Sequence, residues 1–208
     1  MARIRTERGL DRLVNFSDAT VAIAITLLIL PLVDVAGEAR HETLGTVLYD
    51  NRGLLISFVV SFAVIGRFWL VHHGLFEYVH SYSRALVFAN FVWLAGIVFL
   101  PFAANVLSGS DGQPSISALY IGTMIVITGA AAAMDWILIH DSTLSDADEV
   151  KDLSLAPAIA FVILLALALV IAVLFPTINL YALFVLFLVG PLTHVLRRRD
   201  GGDSPTAD

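Results

Sequence analysis

The chain has 208 residues, of which 58% are hydrophobic and 14% charged, with a mean hydropathy of +0.86. A soluble domain of this size does not carry so much apolar surface, so the composition reads as an all-α integral membrane protein. The formal charge of −6 sits in loops and tail, and no basic stripe with interleaved aromatics exists. Nucleic acid is therefore excluded as a partner. The absence of cysteine excludes disulfides and thiolate chemistry.

The first apolar run covers residues 13–33 and includes Asp18. Starting the helix after Asp18 would leave roughly 22 Å of apolar helix at 1.5 Å per residue, short of the roughly 30 Å hydrocarbon core. Asp18 therefore falls inside the spanning helix, where an ionised carboxylate faces protein and needs partners. Arg3, Arg5, Arg8 and Arg12 ahead of this run also resemble a signal peptide, but Asp18 breaks that pattern and the run is read as a retained span. Further runs follow near 54–72, 85–107, 115–139, 154–175 and 178–196, giving six transmembrane helices, and the segments between them read as turns or charged loops. Residues 1–199 then form one six-span domain, with 200–208 a disordered cytosolic tail.

A cytosolic N-terminus places Arg3, Arg5, Arg8, Arg12, Arg84, Lys151 and Arg197 to Arg199 on one side and leaves Arg40 and Arg52 on the other. The positive-inside rule then puts both termini in the cytosol. Arg67 lies near the cytosolic end of the second span, where its side chain snorkels to the headgroups.

At 100° per residue the first span has two faces. Phe16, Ala19, Ile23, Leu27 and Leu30 form an apolar stripe with Thr26 at its edge, and Asp18 lies roughly 140° away. The carboxylate turns into the protomer's own bundle. At the same depth the second span presents Trp69, His72 and His73 and the third presents Asn90, which together with Arg12 and Ser17 are the candidate partners of Asp18. The stripe fits ordinary helix packing. It also fits a hydrophobic constriction that narrows a water path by dewetting, which requires copies around the axis of a symmetric oligomer.

These residues resemble the transmembrane protein 175 family of potassium channels in its prokaryotic single-repeat form. The match is to R-x-x-x-F-S-D, here Arg12, Phe16, Ser17 and Asp18, followed by AIAITLLIL. FWLVHHGLF (Phe68 to Phe76) resembles the family's W-x-x-H-H-x-L-F stretch, and NFVWLAGIVFLPF its third helix, with Asn90, Pro101 and Phe102 in place. The resemblance covers the first half of the chain strongly and the second half as a hydropathy pattern. It implies a six-helix subunit of a homotetramer in a prokaryotic plasma membrane, with helix 1 of every subunit lining a potassium pore that has no carbonyl filter loop and no cofactor. It also implies that Ile23, Leu27 and Leu30, with Thr26 beside them, form the constriction, and that Arg12, Ser17, Asp18, Trp69, His72, His73 and Asn90 form a network bracing helix 1.

Other readings compete. His73, Glu77 and His80 fall at i, i+4, i+7, a spacing suited to zinc, although at a helix end beside Tyr78 and Tyr82 they read as headgroup-facing polar residues. Asp135 and His140 are likewise read as interfacial. A membrane enzyme using Asp18, His72 and His73 lacks any nucleophile or metal signature. A proton-coupled transporter would use Asp18 as its coupling carboxylate, but the centre of the first span offers little polarity beyond Thr26.

Overall fold

The structure, a computed structural model, describes residues 7–35, 37, 43–109, 113–145 and 155–175. These fold into helices α1 (Glu7–Leu27), α2 (Leu30–Val35), α3 (Leu44–Asp50), α4 (Arg52–Phe76), α5 (Arg84–Ser108), α6 (Pro114–His140) and α7 (Ala156–Leu174), with no strand among the described residues. Among the described residues, five stretches are long and apolar enough to cross a bilayer: Arg8–Val35, Arg52–Phe76, Arg84–Ser108, Pro114–His140 and Ala156–Leu174. The protein is an all-α, multi-pass membrane protein. The expected sixth span at 178–196, the tail, Lys151 and Arg197 to Arg199 lie outside the described residues.

Helix ends follow local chemistry. Ser83 caps α5, its hydroxyl accepting the Leu86 N–H at 3.2 Å. Pro114 opens α6, where its missing N–H deprives the helix of nothing.

The first span is not the single straight helix that its hydropathy suggests. Pro31 has no N–H to offer the Leu27 carbonyl, and its ring crowds that oxygen, so α1 stops at Leu27. The chain tightens there into i→i−3 bonds, Leu28 N to Ile25 O and Ile29 N to Thr26 O, both 3.3 Å, before α2 resumes with Pro31 in its first turn. The segment between the first two spans also differs from a plain loop, because it contains α3, capped by Thr43.

The core lies between α5, α6 and α7, where Leu86, Ile97, Leu100, Ala103, Ile127, Met134, Leu165 and Ala168 are fully enclosed. α5 and α6 approach closely because Gly96 has no side chain. A Cβ there would stand 2.5 Å from Ile127 Cγ1. Between membrane helices, where lipid removes most of the hydrophobic incentive to associate, such small-residue contacts supply the packing. α1 packs on α4 and α5 at the edge of this core. On the side of the N-terminus the α4–α5 loop ties the bundle together. The His80 and Ser81 amides both donate to the Leu144 carbonyl at 2.8 and 3.1 Å, and the Tyr82 ring packs directly on Gly9 of α1.

Candidate pore helix and its polar brace

α1 buries Ser17, Val21 and Ala24, a narrow face at i, i+4, i+7 that meets α4 and α5 and is continued by buried Leu28 at the break. Away from the bundle it presents Ile23 (61% exposed), Leu27 (39%) and, beyond the break, Leu30 (54%), while the Phe16 ring packs on Phe91 of α5 with centroids 5.9 Å apart. Thr26 sits on that exposed side with its hydroxyl proton committed to the Ile23 carbonyl at 2.7 Å. The helix thus has one face tied into its protomer and one apolar face free of it.

The polar residues of the three helices do not converge on Asp18 but divide into two sets. In one, the half-buried Asp18 receives the Trp69 indole N–H on Oδ1 at 2.9 Å. The Trp69 ring stacks on His73 with centroids 5.2 Å apart, and His73 Nε2 lies 3.6 Å from Glu77 Oε1 at the exposed end of α4. In the other, three buried side chains from α4, α5 and α1 form a chain. His72 Nε2 meets Asn90 Oδ1 at 2.7 Å, Asn90 Nδ2 donates to Ser17 Oγ at 2.9 Å, and Ser17 Oγ donates to the Leu13 carbonyl at 2.9 Å.

The direction of this second chain follows from its chemistry. A carbonyl oxygen accepts and never donates, so with Asn90 Nδ2 directed at Ser17, His72 must carry its proton on Nε2 and donate it. The imidazole is enclosed between aromatic rings, Trp93 at 4.1 Å and Phe76 at 4.5 Å between centroids. Every member is satisfied, as a polar group inside a membrane bundle must be.

One sequence expectation changes here, and one competing reading loses its basis. Arg12 is exposed and makes no ion pair with Asp18 among the described residues. α4 ends at Phe76, so His80 is not on the helical face that carries His73 and Glu77, and the spacing suited to zinc is not realised. Trp93, which walls His72, was missed by the sequence reading. Its signal was its position three residues after Asn90, one turn along the same face. His140 stacks on Trp136 at 4.4 Å and donates from Nδ1 to the Trp136 carbonyl, an arrangement local to the end of α6.

Comparison with known proteins matches these elements to one family. The family model described as "Endosomal/lysosomal potassium channel TMEM175" matches residues 12–101, the stretch that holds both polar sets and the apolar face of α1. A potassium channel of Streptomyces collinus is 34% identical over 143 residues, covering 65% of this chain and 67% of that protein. A potassium channel of Chamaesiphon minutus is 32% identical, covering 56% of this chain and 59% of its own length. The human endosomal/lysosomal proton channel TMEM175 is 32% identical over 111 residues, covering 50% of this chain and 22% of the human protein. The chain therefore spans two thirds or less of each of these relatives. With a bacterial relative matched at this identity over two thirds of its length, the chain belongs to the TMEM175 family of ion channels.

Proposed function

We propose that the chain is one subunit of a potassium-conducting channel, with α1 of each copy lining a central pore. The observation that carries this reading is the two-sidedness of α1: Ser17 and Asp18 hold one face to α4 and α5, while Ile23, Leu27 and Leu30 are turned away from the protomer. Exposure alone does not distinguish lipid from pore, since any membrane helix exposes leucine. The added support is that α1 bears the brace, contacts two helices along a narrow face, and lies in the part of the chain shared with the potassium channels of Streptomyces and Chamaesiphon.

One protomer contributes one such helix, so the pore needs a closed symmetric oligomer, and a homotetramer is the assembly we propose. Apolar rings offer a hydrated cation no replacement oxygens, so the ring diameter and its wetting set both rate and discrimination. Arg8, Arg12 and Arg84, placed on the side of the N-terminus, support an orientation with that end in the cytosol of a bacterial plasma membrane.

A second reading is proton conduction, favoured by the vertebrate relatives being named proton channels. Reconstituted liposomes with opposed potassium and sodium gradients test both. A reversal potential that follows the potassium gradient supports the proposal. Flux that follows the pH gradient and ignores potassium supports the second reading, and potassium uptake that requires a pH gradient would mean a coupled transporter acting through Asp18.

A further inference from the structure

α3 is a short helix whose surface has two unlike sides. Leu44, Val47 and Leu48, at i, i+3, i+4, fall within about 100° of one another on the helical wheel, while Thr46 and Asp50 lie on the other side. Val47 is buried against the protein, yet Leu44 and Leu48 beside it are 67% and 45% exposed. Soluble surface helices turn such leucines inward. Here the protein leaves them uncovered.

The position of α3 is fixed by its junction with α4. Asn51 alone joins the two helices, ending α3 and starting α4, with its backbone N–H and its Nδ2 both donating to the Val47 carbonyl at 3.1 and 3.0 Å. α4 enters the membrane at once, carrying exposed Ile56, Val59 and Phe62 on its outer surface. A seven-residue helix is about 10 Å long. The headgroup zone is roughly 5 to 8 Å deep on each side of the hydrocarbon, so a helix of this length fits within it when it lies along the surface. At the junction the Arg52 guanidinium lies 4.7 Å from the Tyr49 ring centroid and donates to the Tyr49 carbonyl at 3.1 Å. Tyrosine and a snorkelled arginine are the residues that mark headgroup depth.

We infer that α3 is an interfacial helix seated on the bilayer surface at the end of the bundle opposite the N-terminus, with Leu44 and Leu48 inserted at the acyl boundary. Its partner is lipid. The bilayer is favoured over a second protein because these exposed leucines are joined through Asn51 alone to a spanning helix that itself exposes Ile56, Val59 and Phe62, and because a paired Arg52 and Tyr49 flank them at the junction. The consequence is mechanical: α3 is held to the membrane surface and anchors the start of α4 through Asn51.

The natural chain has no cysteine, so single cysteines at positions 44, 46 and 48 take a nitroxide label with no background. In phosphatidylcholine liposomes, collision of each label with oxygen, which partitions into the bilayer, is compared with collision with a water-soluble nickel chelate, using Val59→Cys as the mid-membrane reference. The expected result is an alternation. Positions 44 and 48 favour oxygen and position 46 favours nickel, with a several-fold difference in their ratio. Nickel-favoured accessibility at all three positions overturns the inference, and so does exclusion of both reagents at 44 and 48 with spin–spin broadening, which would seat a second copy there.

Discussion

The Trp69 indole N–H donates to Asp18 Oδ1 across 2.9 Å, and through it the carboxylate on α1 is joined to α4. Trp69→Phe removes that donor and leaves the half-buried carboxylate without it. A hydrogen bond to a charged group contributes about 1.5–3 kcal/mol in soluble proteins, whereas interhelical bonds in membranes average about 0.6 and reach about 1.7 kcal/mol. The loss expected for Trp69→Phe is therefore about 1–2 kcal/mol, read as a lower thermal midpoint and less assembled oligomer in detergent. Asp18→Asn keeps an acceptor and should retain most of the assembly that Asp18→Ala loses. Equal damage from both would mean that the charge matters more than the bond, which is the signature of a coupling carboxylate.

The chain His72–Asn90–Ser17 makes a different prediction, because its members depend on one another. Asn90→Ala orphans a donor on His72 and an acceptor on Ser17 together, and Ser17→Ala removes a partner already lost in that background. A double-mutant cycle should therefore show a coupling of about 0.5–1.7 kcal/mol between Ser17 and Asn90. Additive stabilities in a detergent unfolding titration would contradict the relay.

Gly96 sets the distance between α5 and α6. Gly96→Ala drives a methyl into Ile127 Cγ1 and should cost about 1–3 kcal/mol by overpacking. Ile127→Ala removes the atom that is struck, so the double variant should be more stable than the sum of the two single effects. A double variant that simply adds the two losses would place the strain elsewhere.

Pro31 is the cause assigned to the break in the first span. Pro31→Ala restores a donor for the Leu27 carbonyl, and amide exchange across residues 28–32 should slow as α1 and α2 merge. Exchange there as fast as in the natural chain would show that the break has another origin.

How far these features were legible from sequence depends on their physics. The five described spans were legible because burial in lipid demands long apolar runs, and their limits fall within a few residues of the helices except at Glu7, where α1 begins well before the apolar run, and at Phe76, where α4 continues past the polar His72 and His73 because their turn is still packed against α5. The two faces of α1 were legible from the 100° period. The break was not, since hydropathy sees Pro31 as another apolar residue, and its signal was the backbone chemistry of proline. α3 was hidden by its length, although Thr43 before Leu44, Val47 and Leu48 is a capped amphipathic turn. The division of the polar residues was beyond sequence altogether. Ser17 and Asp18 are adjacent, about 100° apart on the wheel, and which of them meets Asn90 and which meets Trp69 is decided by helix rotations that no single sequence specifies.

The central claim is that the exposed stripe of α1 borders the conduction path, and Ile23 is its most exposed member at 61%. Ile23 is β-branched and stiff, so it cannot easily fold aside, and a ring of such side chains would be the tightest part of the pore. Ile23→Asn should widen and wet that ring, raising cation flux and lowering discrimination between potassium and sodium. Val59 on α4 is exposed to a similar degree and also β-branched, so Val59→Asn controls for the general effect of placing an amide on the membrane surface of the subunit. Both variants are measured in liposomes at equal content of assembled oligomer. The account predicts that Ile23→Asn changes conductance and selectivity while Val59→Asn leaves them near those of the natural chain; equal effects from the two would show that the stripe faces lipid and that the pore lies elsewhere.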